Sequence, residues 1–337
     1  MKKTGRYTYK PASPVYITAF DAFVGKLEKE GPLGEYFQRW DEDEYFGQET
    51  FEKAESFIQK EVINGVISKS QCLCEDVDFV FAGDLLNQCI GSNYGIRDLD
   101  MQFFGLYGAC STFAEGLILA CMSIDGGFAR NALAVTSSHF CSSERQFRFP
   151  LEYGSQRPPT SQWTVTGSGC ALLSAKPSGD NCPQIRGFSP GAVCDMGIKD
   201  INNMGAAMAP AAAQTLLRYL DDTGKSPDDF DLILTGDLGR VGHDLMMRLL
   251  SEKGVSAGNT LYDCGMMIYD PKKQDTHAGG SGCGCSASVM CGVILPKIAS
   301  GEYKNVLYIA TGALMSTVSN QQKESIPGIA HLLHITV

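Results

Sequence analysis

Several features that would assign a function class are scarce or missing in this sequence. No apolar run approaches the roughly 20 residues that a membrane-spanning helix needs. The basic first 14 residues lack the apolar core of a secretory signal peptide. Positive charge is also scarce: the formal net charge is −10, which argues against a nucleic-acid partner and against simple electrostatic attachment to an anionic membrane. A docked membrane partner stays open.

Signatures of cofactor and metal sites are incomplete as well. The glycine-rich stretch GGSGCGCS (279–286) lacks the third glycine of a dinucleotide fingerprint. Two Cys-x-Cys pairs, Cys72 with Cys74 and Cys283 with Cys285, have no paired His or Cys nearby, and structural zinc usually uses wider spacings. The sequence therefore predicts no cofactor and no resident metal.

What is present is ordinary globular material. The 337 residues, 44% apolar and 20% charged, suffice for two packed domains or one doubled domain. The 13 cysteines are an odd number and lie mostly among apolar neighbours. In a chain of this size that pattern is typical of buried thiols in a reducing compartment, not of a disulfide framework.

An internal duplication is the most informative feature. The segment DVDFVFAGDLLNQ (76–88) resembles DFDLILTGDLGRVG (229–242), and the block 108–138 resembles the block 282–313. In both blocks a glycine-rich turn, an apolar helix and a buried strand follow in the same order, which predicts a gene-duplicated pair of α/β halves with sheets covered on both faces. We place the halves at 1–180, with a polar and aromatic insertion at 139–164, and at 181–337.

The strongest candidate for a chemically active residue is Cys110. The segment GACST (108–112) follows a predicted strand and opens a predicted helix. That is the context of a nucleophile elbow, with Cys110 where hydrolases place serine. A helix N-terminus there would stabilise a thiolate or a bound anion. The alternative is that Cys110 is a small core residue, as most free cysteines are.

Polar residues follow neighbouring predicted strands. Asp84 and its repeat partner Asp237 each end a buried strand, where open α/β sheets bind ligands. Both carboxylates could instead cap the next helix, and we favour capping for Asp237. His139 follows the strand 132–138, so it could serve Cys110 as a base or be a structural histidine.

The insertion carries a local group of charged side chains. Arginines there could receive carboxylates bidentately, or could form surface salt bridges. The residues are Glu144, Arg145, Arg148 and Arg157.

Taken together, these segments resemble a known family. The duplicated halves and the GACST turn are similar to the thiolase and ketoacyl-synthase superfamily. More closely, the chain resembles the stage V sporulation protein AD family of spore-forming Firmicutes. The segments that carry this resemblance are FAGDLLNQ, FGLYGACST, AVTSSHF, ERQFRFPLEYG, MGAAMAPAAAQT and QQKESIPGIAH. The resemblance covers nearly the whole chain and implies a thiolase-like α/β fold, with two duplicated halves in a layered αβαβα arrangement.

That family resemblance also implies a function. It implies binding of dipicolinic acid, with calcium as a possible companion, within the machinery that takes calcium dipicolinate up into developing spores. It further implies a homodimer, peripheral association with the spore inner membrane, and contact with other membrane proteins of that machinery. The implied ligand-binding residues are Cys110, Ser111, Asp84, Asn87, Ser138, His139 and Asp237.

The sequence departs from active condensing enzymes in its second half. Those enzymes supply His-His or His-Asn partners to the nucleophilic cysteine. Asp237 and Gly279 fall near the matching positions here, with His243 and His277 close in sequence. A cysteine without a base and oxyanion donors is a poor acyl-transfer catalyst, so we predict a protein that is not an enzyme.

Two alternatives stay open. One is an acyl-thioester condensing enzyme that uses Cys110 with His139 or His277. The other is a structural subunit of a membrane assembly, in which the pocket is vestigial.

Overall fold

The elements of the first half alternate as the sequence predicts. The computed structural model describes residues 1–70, 72–147, 157–258 and 260–337, so the predicted cluster residue Arg148 lies outside the described part. The strands are β1 (Lys2–Thr4), β2 (Thr8–Lys10), β3 (Tyr16–Val24), β4 (Arg39–Trp40), β5 (Phe79–Gly83), β6 (Phe103–Gly105), β7 (Asn131–Ser138), β8 (Trp163–Thr164) and β9 (Gly167–Ser174). The helices are α1 (Lys26–Lys29), α2 (Phe51–Ser70), α3 (Ile90–Ile96), α4 (Thr112–Asp125) and α5 (Phe140–Phe147).

The second half repeats this order. Its strands are β10 (Gln184–Ser189), β11 (Leu232–Thr235), β12 (Leu261–Asp263), β13 (Gly280–Ser281), β14 (Asn305–Ala313) and β15 (Gly328–Thr336). Its helices are α6 (Met204–Thr223), α7 (Gly239–Glu252), α8 (Cys264–Ile268), α9 (Cys283–Val289), α10 (Leu295–Ala299) and α11 (Thr317–Gln321), with a π-helical turn, Met290–Ile294, joining α9 to α10. The segment 261–268 is divided between the short strand β12 and helix α8.

The duplication predicted from the sequence is visible in the strand order. The main sheet runs β12-β11-β14-β15-β10-β3-β9-β7-β5-β6. Read outward from the centre, β3-β9-β7-β5-β6 in the first half matches β10-β15-β14-β11-β12 in the second. In each half the last three strands are parallel and the others antiparallel. The halves join where β3 pairs with β10 through Tyr16 and Gln184.

Helices cover both faces of each half-sheet. The apolar helices α4 and α9 lie in the centre, where α4 contacts β5 and β7 of its own half as well as β14 and β15 of the other. Helices α2 and α3 pack on the outside of the first half, and α6 and α7 on the outside of the second. Three buried apolar clusters correspond to the centre and the two flanks. The result is the predicted five-layer αβαβα arrangement.

Two further expectations concern the cysteines and the membrane. All thirteen cysteines are free thiols, most of them buried among apolar side chains. None of the helices in the described part of the chain combines the length and apolar character that a membrane span requires.

The topology brings chemically useful positions together. Strands β5, β7, β11 and β14 all end at the edge of the sheet where the turns that open α4 and α9 lie. Ligands of open α/β sheets bind at such carboxyl ends. Asp84, His139 and Asp237 all follow strands that end there.

Candidate functional site

A cavity opens at this edge between the two halves. It encloses about 300 Å³, at the lower end of the usual range for small-molecule sites. The first half and its insertion line one side with Leu85, Tyr107, Ala109, Cys110, Ser143, Glu144, Phe147 and Thr164. The second half lines the other side with Met204, Ser281, Ala313, Leu314, Met315, Ser316 and Ser319. Apolar walls with scattered hydroxyl groups are typical of a pocket for a small, partly polar molecule.

Cys110 lies on the wall of this cavity, at a tight turn. Residues Ala109–Ser111 form a 3-10 turn that leads directly into α4. Ala109 has a φ of 51°, in the left-handed region that residues other than glycine rarely adopt. Such strained backbone clusters at functional sites. The Cys110 side chain is only 6% exposed, and its Sγ lies 3.7 Å from Oγ of Ser281 in the second half.

Behind Ser281 lies the carboxylate of Asp237. Its Oδ2 accepts hydrogen bonds from the Ser281 hydroxyl (2.8 Å) and the Gly282 backbone N–H (3.1 Å). Its Oδ1 accepts one from the Thr311 hydroxyl (2.8 Å). Asp237 is therefore a buried acceptor that links the end of β11 to the turn before α9 and reaches Cys110.

The preferred expectation for Asp237, a cap of the following helix, is wrong. The backbone N–H groups of Leu238 and Gly239 at the start of α7 donate to Asp263 instead, at 2.8 and 3.0 Å. Asp263 ends the neighbouring parallel strand β12, so its carboxylate is closer to those amides than sequence order suggests. The Asp237 carboxylate is therefore free to accept hydrogen bonds from Ser281 and Gly282 beside the cavity.

The electrostatics of the pair oppose thiolate formation. Burial raises the pKa of Asp237 to about 6, although bonds from Cys110, Thr311 and Ser281 favour its ionised form. Burial, and then the negative charge of Asp237, raise the pKa of the Cys110 thiol well above its ordinary value. A nucleophilic cysteine needs the opposite environment, with a cation or a base nearby. The thiol therefore holds its proton more tightly than the Asp237 carboxyl does.

Asp84 does not line the cavity. It is fully buried, and its Oδ1 accepts from the Leu86 N–H (2.9 Å), while its Oδ2 accepts from both N–H and Oγ of Ser92 (2.7 and 2.6 Å). Since Ser92 lies in the first turn of α3, this is the capping arrangement considered for Asp84. The carboxylate holds the loop that places Leu85 in the cavity wall.

Ser111 and Ser138 are also buried beside the cavity rather than on its wall. The Ser111 hydroxyl donates to the Gly108 carbonyl at 2.6 Å, and its N–H donates to the same oxygen at 3.2 Å. The Ser138 hydroxyl donates to the Val165 carbonyl (2.6 Å) and accepts from the Gly284 N–H (3.0 Å). Both side chains hold the turns around Cys110 and Gly284.

Asn87 lies at the rim of the site. Its side-chain Oδ1 is 3.4 Å from the hydroxyl of Tyr107, which lines the cavity, and its backbone N–H donates to Gln146. The exposed Asn87 is therefore one residue removed from the described cavity wall.

His139 does not join Cys110. Its Nε2 lies 2.8 Å from the Glu44 carbonyl and its Nδ1 accepts from the Cys141 N–H (3.2 Å), so both ring nitrogens are engaged. The ring packs on Phe51, and burial lowers the pKa of His139. These contacts correspond to the structural alternative for this histidine.

The second-half histidines also lie away from the thiol. His243 is on α7 beside Asp244, and His277 pairs with Asp275. Neither belongs to the described lining of the cavity. The condensing-enzyme alternative therefore finds no imidazole next to Cys110 among the described residues.

The arginine cluster of the insertion is divided among separate partners. Arg145 forms an ion pair with Glu52, while Arg157 donates to Asp275 and stacks on Trp163. Glu144 lines the cavity. The insertion thus contributes helix α5 and strand β8 to the site wall.

Sequence reasoning missed several cavity residues. Ser281, in the GGSGCGCS turn, lines the cavity. In the same turn Cys283 Sγ lies 3.0 Å from the Ala109 carbonyl, so this turn packs against the Cys110 turn. The segment after β14, which supplies Met315, Ser316 and Ser319, follows Ala313 as the insertion follows its repeat partner Ser138. Extending the duplication past these strand ends would have found it.

No group of three or more His, Cys, Asp or Glu side chains suited to a metal ion occurs within the described residues. The Cys283 and Cys285 thiols are both buried, and burial raises both pKa values well above the ordinary range.

Comparison with known proteins identifies the family. Solved structures similar to this one include a histidine-to-aspartate variant of OleA from Xanthomonas campestris, with a TM-score of 0.60, 12% identity and coverage of 98% of this chain and 100% of that one. They also include 3-oxoacyl-[acyl-carrier-protein] synthase III from Aquifex aeolicus, with a TM-score of 0.56, 12% identity and coverage of 96% and 100%. At such low identity these similarities establish the thiolase-like fold alone.

The sequence comparisons are more specific. The chain is 44% identical over 331 residues to the stage V sporulation protein AD of Bacillus subtilis, covering 98% of this chain and 97% of that protein. The family model described as "Stage V sporulation protein AD" matches residues 5–336. The chain therefore belongs to the stage V sporulation protein AD family.

Proposed function

We propose that the chain binds dipicolinic acid, as such or as its calcium complex, without catalysing a reaction on it. In this proposal it serves the machinery that takes the compound up into developing spores. The sporulation family supports the biological setting. The observation that carries the non-catalytic part is the Asp237 carboxylate, which stands against the neutral Cys110 thiol at the cavity wall.

The shape and chemistry of the cavity suit this ligand. Dipicolinate is a flat, rigid pyridine ring with two carboxylates, and a cavity of about 300 Å³ matches a small molecule. Leu85, Phe147 and Met315 offer apolar surface to a ring. Ser316 and Ser319 place hydroxyl groups on the same wall, where Ser316 Oγ donates to Ser319 Oγ and Ser319 Oγ donates to the Ser316 carbonyl.

Charge favours the calcium complex over the free dianion. The described lining contains no lysine or arginine, and the carboxylate of Asp237 lies just behind Ser281. A free dianion in such a pocket would lose hydration without gaining an ion pair. The calcium complex carries the compensating charge itself.

Isothermal titration tests this proposal directly. Wild-type protein is titrated with dipicolinate, with and without calcium, and with isophthalate, which has the same shape but no ring nitrogen. We expect saturable binding that calcium strengthens and that isophthalate does not reproduce. Cys110→Ala should weaken binding, while Cys182→Ala, which removes a buried thiol that does not line the cavity, should not. No binding by folded wild-type protein would overturn the proposal.

The condensing-enzyme alternative makes a distinct prediction. Incubation with acyl-coenzyme A followed by mass spectrometry would yield an acyl adduct on Cys110 if the thiol were a working nucleophile. The high pKa of Cys110 and the engaged nitrogens of His139 lead us to expect no adduct. A Cys110 adduct would establish the alternative.

We further propose a homodimer that forms along the edge of the first half-sheet. Strand β6 is the last strand on that side, and Phe104, Tyr107 and Tyr94 beside it are each 51% exposed. An uncovered strand edge with exposed aromatic rings favours pairing with another chain. Sedimentation should show a dimer that Phe104→Glu dissociates and that Phe128→Glu, at the 79% exposed Phe128, leaves intact.

Peripheral association with the spore inner membrane, and contact with other membrane proteins of the uptake machinery, are part of the same proposal. Under the structural-subunit alternative, Cys110→Ala and Asp84→Ala proteins would still support spore assembly. Under our proposal, the Cys110→Ala protein should assemble but leave spores deficient in dipicolinate.

A further inference from the structure

One side chain on the cavity wall carries a hydroxyl group that the protein itself does not satisfy. Ser143, on α5, lines the cavity, and its side chain is only 2% exposed. Among the residues that the structure describes, its Oγ has no hydrogen-bond partner. Most buried polar groups in folded proteins have such a partner, because a buried hydroxyl group without one disfavours the folded state. The hydroxyl group of Ser143 therefore calls for a partner from outside the chain.

The helix does not supply that partner. A serine inside a helix commonly returns its hydroxyl group to the carbonyl four residues earlier. For Ser143 that carbonyl belongs to His139, and it already accepts the Ser143 N–H and the Ser142 hydroxyl, both at 3.1 Å. A carbonyl oxygen has two lone pairs, so both places at this acceptor are filled. The Ser143 hydroxyl remains for a group inside the cavity.

The serines of the second-half wall differ from Ser143 because protein groups already engage them. Ser281 donates to Asp237 at 2.8 Å. Ser316 donates to the Ser319 hydroxyl at 3.1 Å, and Ser319 donates to the Ser316 carbonyl at 3.0 Å. A ligand that accepts a hydrogen bond from one of these serines must displace an existing bond. Ser143 can donate without such a loss.

Contacts with neighbouring elements hold the start of α5 in place. The Ser142 hydroxyl donates to the Glu55 carboxyl group on α2 at 2.6 Å. The ring of Phe140 stacks on Trp163 of β8, with the ring centroids 3.7 Å apart. A donor that is already fixed by its surroundings loses little conformational entropy when a ligand binds. Ser143 therefore presents a preorganised hydrogen-bond donor to the cavity.

We propose that Ser143 is a ligand-binding residue whose hydroxyl group donates to a carboxylate oxygen of the molecule in the cavity. This inference rests on the proposed binding of dipicolinate and assigns one contact within it. A hydrogen bond to an ionised acceptor is about twice as strong as one between neutral groups. Because the described lining contains no lysine or arginine, a neutral donor has a larger part in recognising a carboxylate here than it would in a cationic pocket.

Isothermal titration with dipicolinate and calcium tests this contact in two variants. Ser143→Ala removes the hydroxyl group, and Ser143→Cys keeps a side chain of similar shape but offers only a weak thiol donor. We expect both variants to bind about tenfold or more weakly than wild type, which is the usual loss for a hydrogen bond to a charged group. If Ser143 only filled space, Ser143→Cys would restore wild-type affinity.

A matched control comes from a second hydroxyl group of the same kind. Ser288 is fully buried, and its Oγ also has no hydrogen-bond partner among the described residues, but it does not belong to the described cavity lining. Ser288→Ala should change the affinity less than about twofold.

Urea unfolding of the unliganded proteins supplies a second readout. Since the Ser143 hydroxyl has no protein partner to lose, Ser143→Ala should leave the unfolding midpoint unchanged or raise it. A lower midpoint would mean that the hydroxyl group already stabilises the unliganded protein, and it would overturn the proposal.

The titrations separate failure of this contact from failure of the proposed function. No binding by folded wild-type protein would overturn the proposed function and this contact with it. Binding by wild type that Ser143→Ala leaves unchanged, or that Ser143→Cys restores, would overturn the role of Ser143 alone. A loss in Ser288→Ala as large as that in Ser143→Ala would do the same.

Discussion

The two halves repeat the same turn, yet only one carries a thiol on the cavity wall. Cys110 in the first turn corresponds to Gly284 in the second, two residues after the glycines that begin each repeat block. A Cβ on Gly284 would lie 2.2 Å from the Gly167 carbonyl oxygen. Cys110 has room because its side chain faces the cavity. The same turn therefore gives a position that faces the cavity in the first half, Cys110, and a position in close backbone contact in the second half, Gly284.

The paired aspartates diverge in the same way. Asp84 satisfies amides of its own half, from Leu86 and Ser92. Asp237 reaches the turn before α9 and touches Cys110 of the other half. The two duplicated halves share the same backbone arrangement, but the site between them is asymmetric because Asp84 and Asp237 have different partners.

The largest loss of stability is expected at Gly284, where an added side chain would clash with the backbone. Gly284→Ala should lower the free energy of unfolding by about 3 kcal/mol or more, because the new methyl group meets the backbone of Gly167 and not a movable side chain. Urea unfolding measures the change. Gly179→Ala, with no atom within 4 Å of the added group, is the control and should be nearly neutral. Wild-type stability of Gly284→Ala would mean that the two turns are interchangeable.

Removal of the first aspartate should be almost as costly. Asp84→Ala leaves the buried N–H groups of Leu86 and Ser92 without their acceptor, which should cost about 3 kcal/mol. Asp84→Asn retains one acceptor oxygen and should lose less. A stable Asp84→Ala protein that no longer binds dipicolinate would instead assign Asp84 a direct ligand contact.

The free energy of unfolding should depend on pH because of Glu55, a buried carboxyl group next to Asp84 in the first half. Burial, and then the charge of Asp84, raise the pKa of Glu55 to about 8 from 4.5. Because the folded state holds this proton more tightly, the stabilisation is complete below pH 4.5 and is lost as pH rises to 8.

Denaturant titrations at several pH values measure this loss as a fall in the free energy of unfolding between pH 4.5 and 8. Glu55→Gln should reduce the pH dependence of the free energy of unfolding. Glu35→Gln, a substitution at an exposed side chain, should leave that pH dependence unchanged. Burial also raises the pKa of Glu28, to about 7, so Glu28 contributes in the same direction. Part of the pH dependence should therefore remain in the Glu55→Gln protein. A stability that rises over this range would contradict the assignment.

The smallest expected effect sharpens the contrast between the aspartates. Asp237→Asn removes the negative charge next to Cys110 and should lower the pKa of that thiol. Each pKa unit gives about a tenfold faster alkylation by iodoacetamide at a pH below the pKa. Peptide mapping isolates the Cys110 signal from the other cysteines. Asp84→Asn should not change the rate, and equal rates in both variants would remove the asymmetry that we infer.

Periodicity and repetition in the sequence were sufficient for the order of elements, the duplicated halves and the turn that presents Cys110. Those features follow from local rules: apolar runs make strands, and glycine-rich turns precede helices. The sequence also indicated which strand ends carry polar groups, since β5 and β11 each stop at Gly-Asp-Leu.

Tertiary structure alone decided which of these groups meet. Ser281 approaches Cys110 across 171 residues of chain, and Asp263 takes the capping role expected of Asp237. Glu44 engages His139, which the sequence left open as either a base for the thiol or a structural histidine. Sequence patterns record short-range preferences, whereas partners at a strand end or on a surface are set by the lateral order of strands, which a linear pattern does not contain.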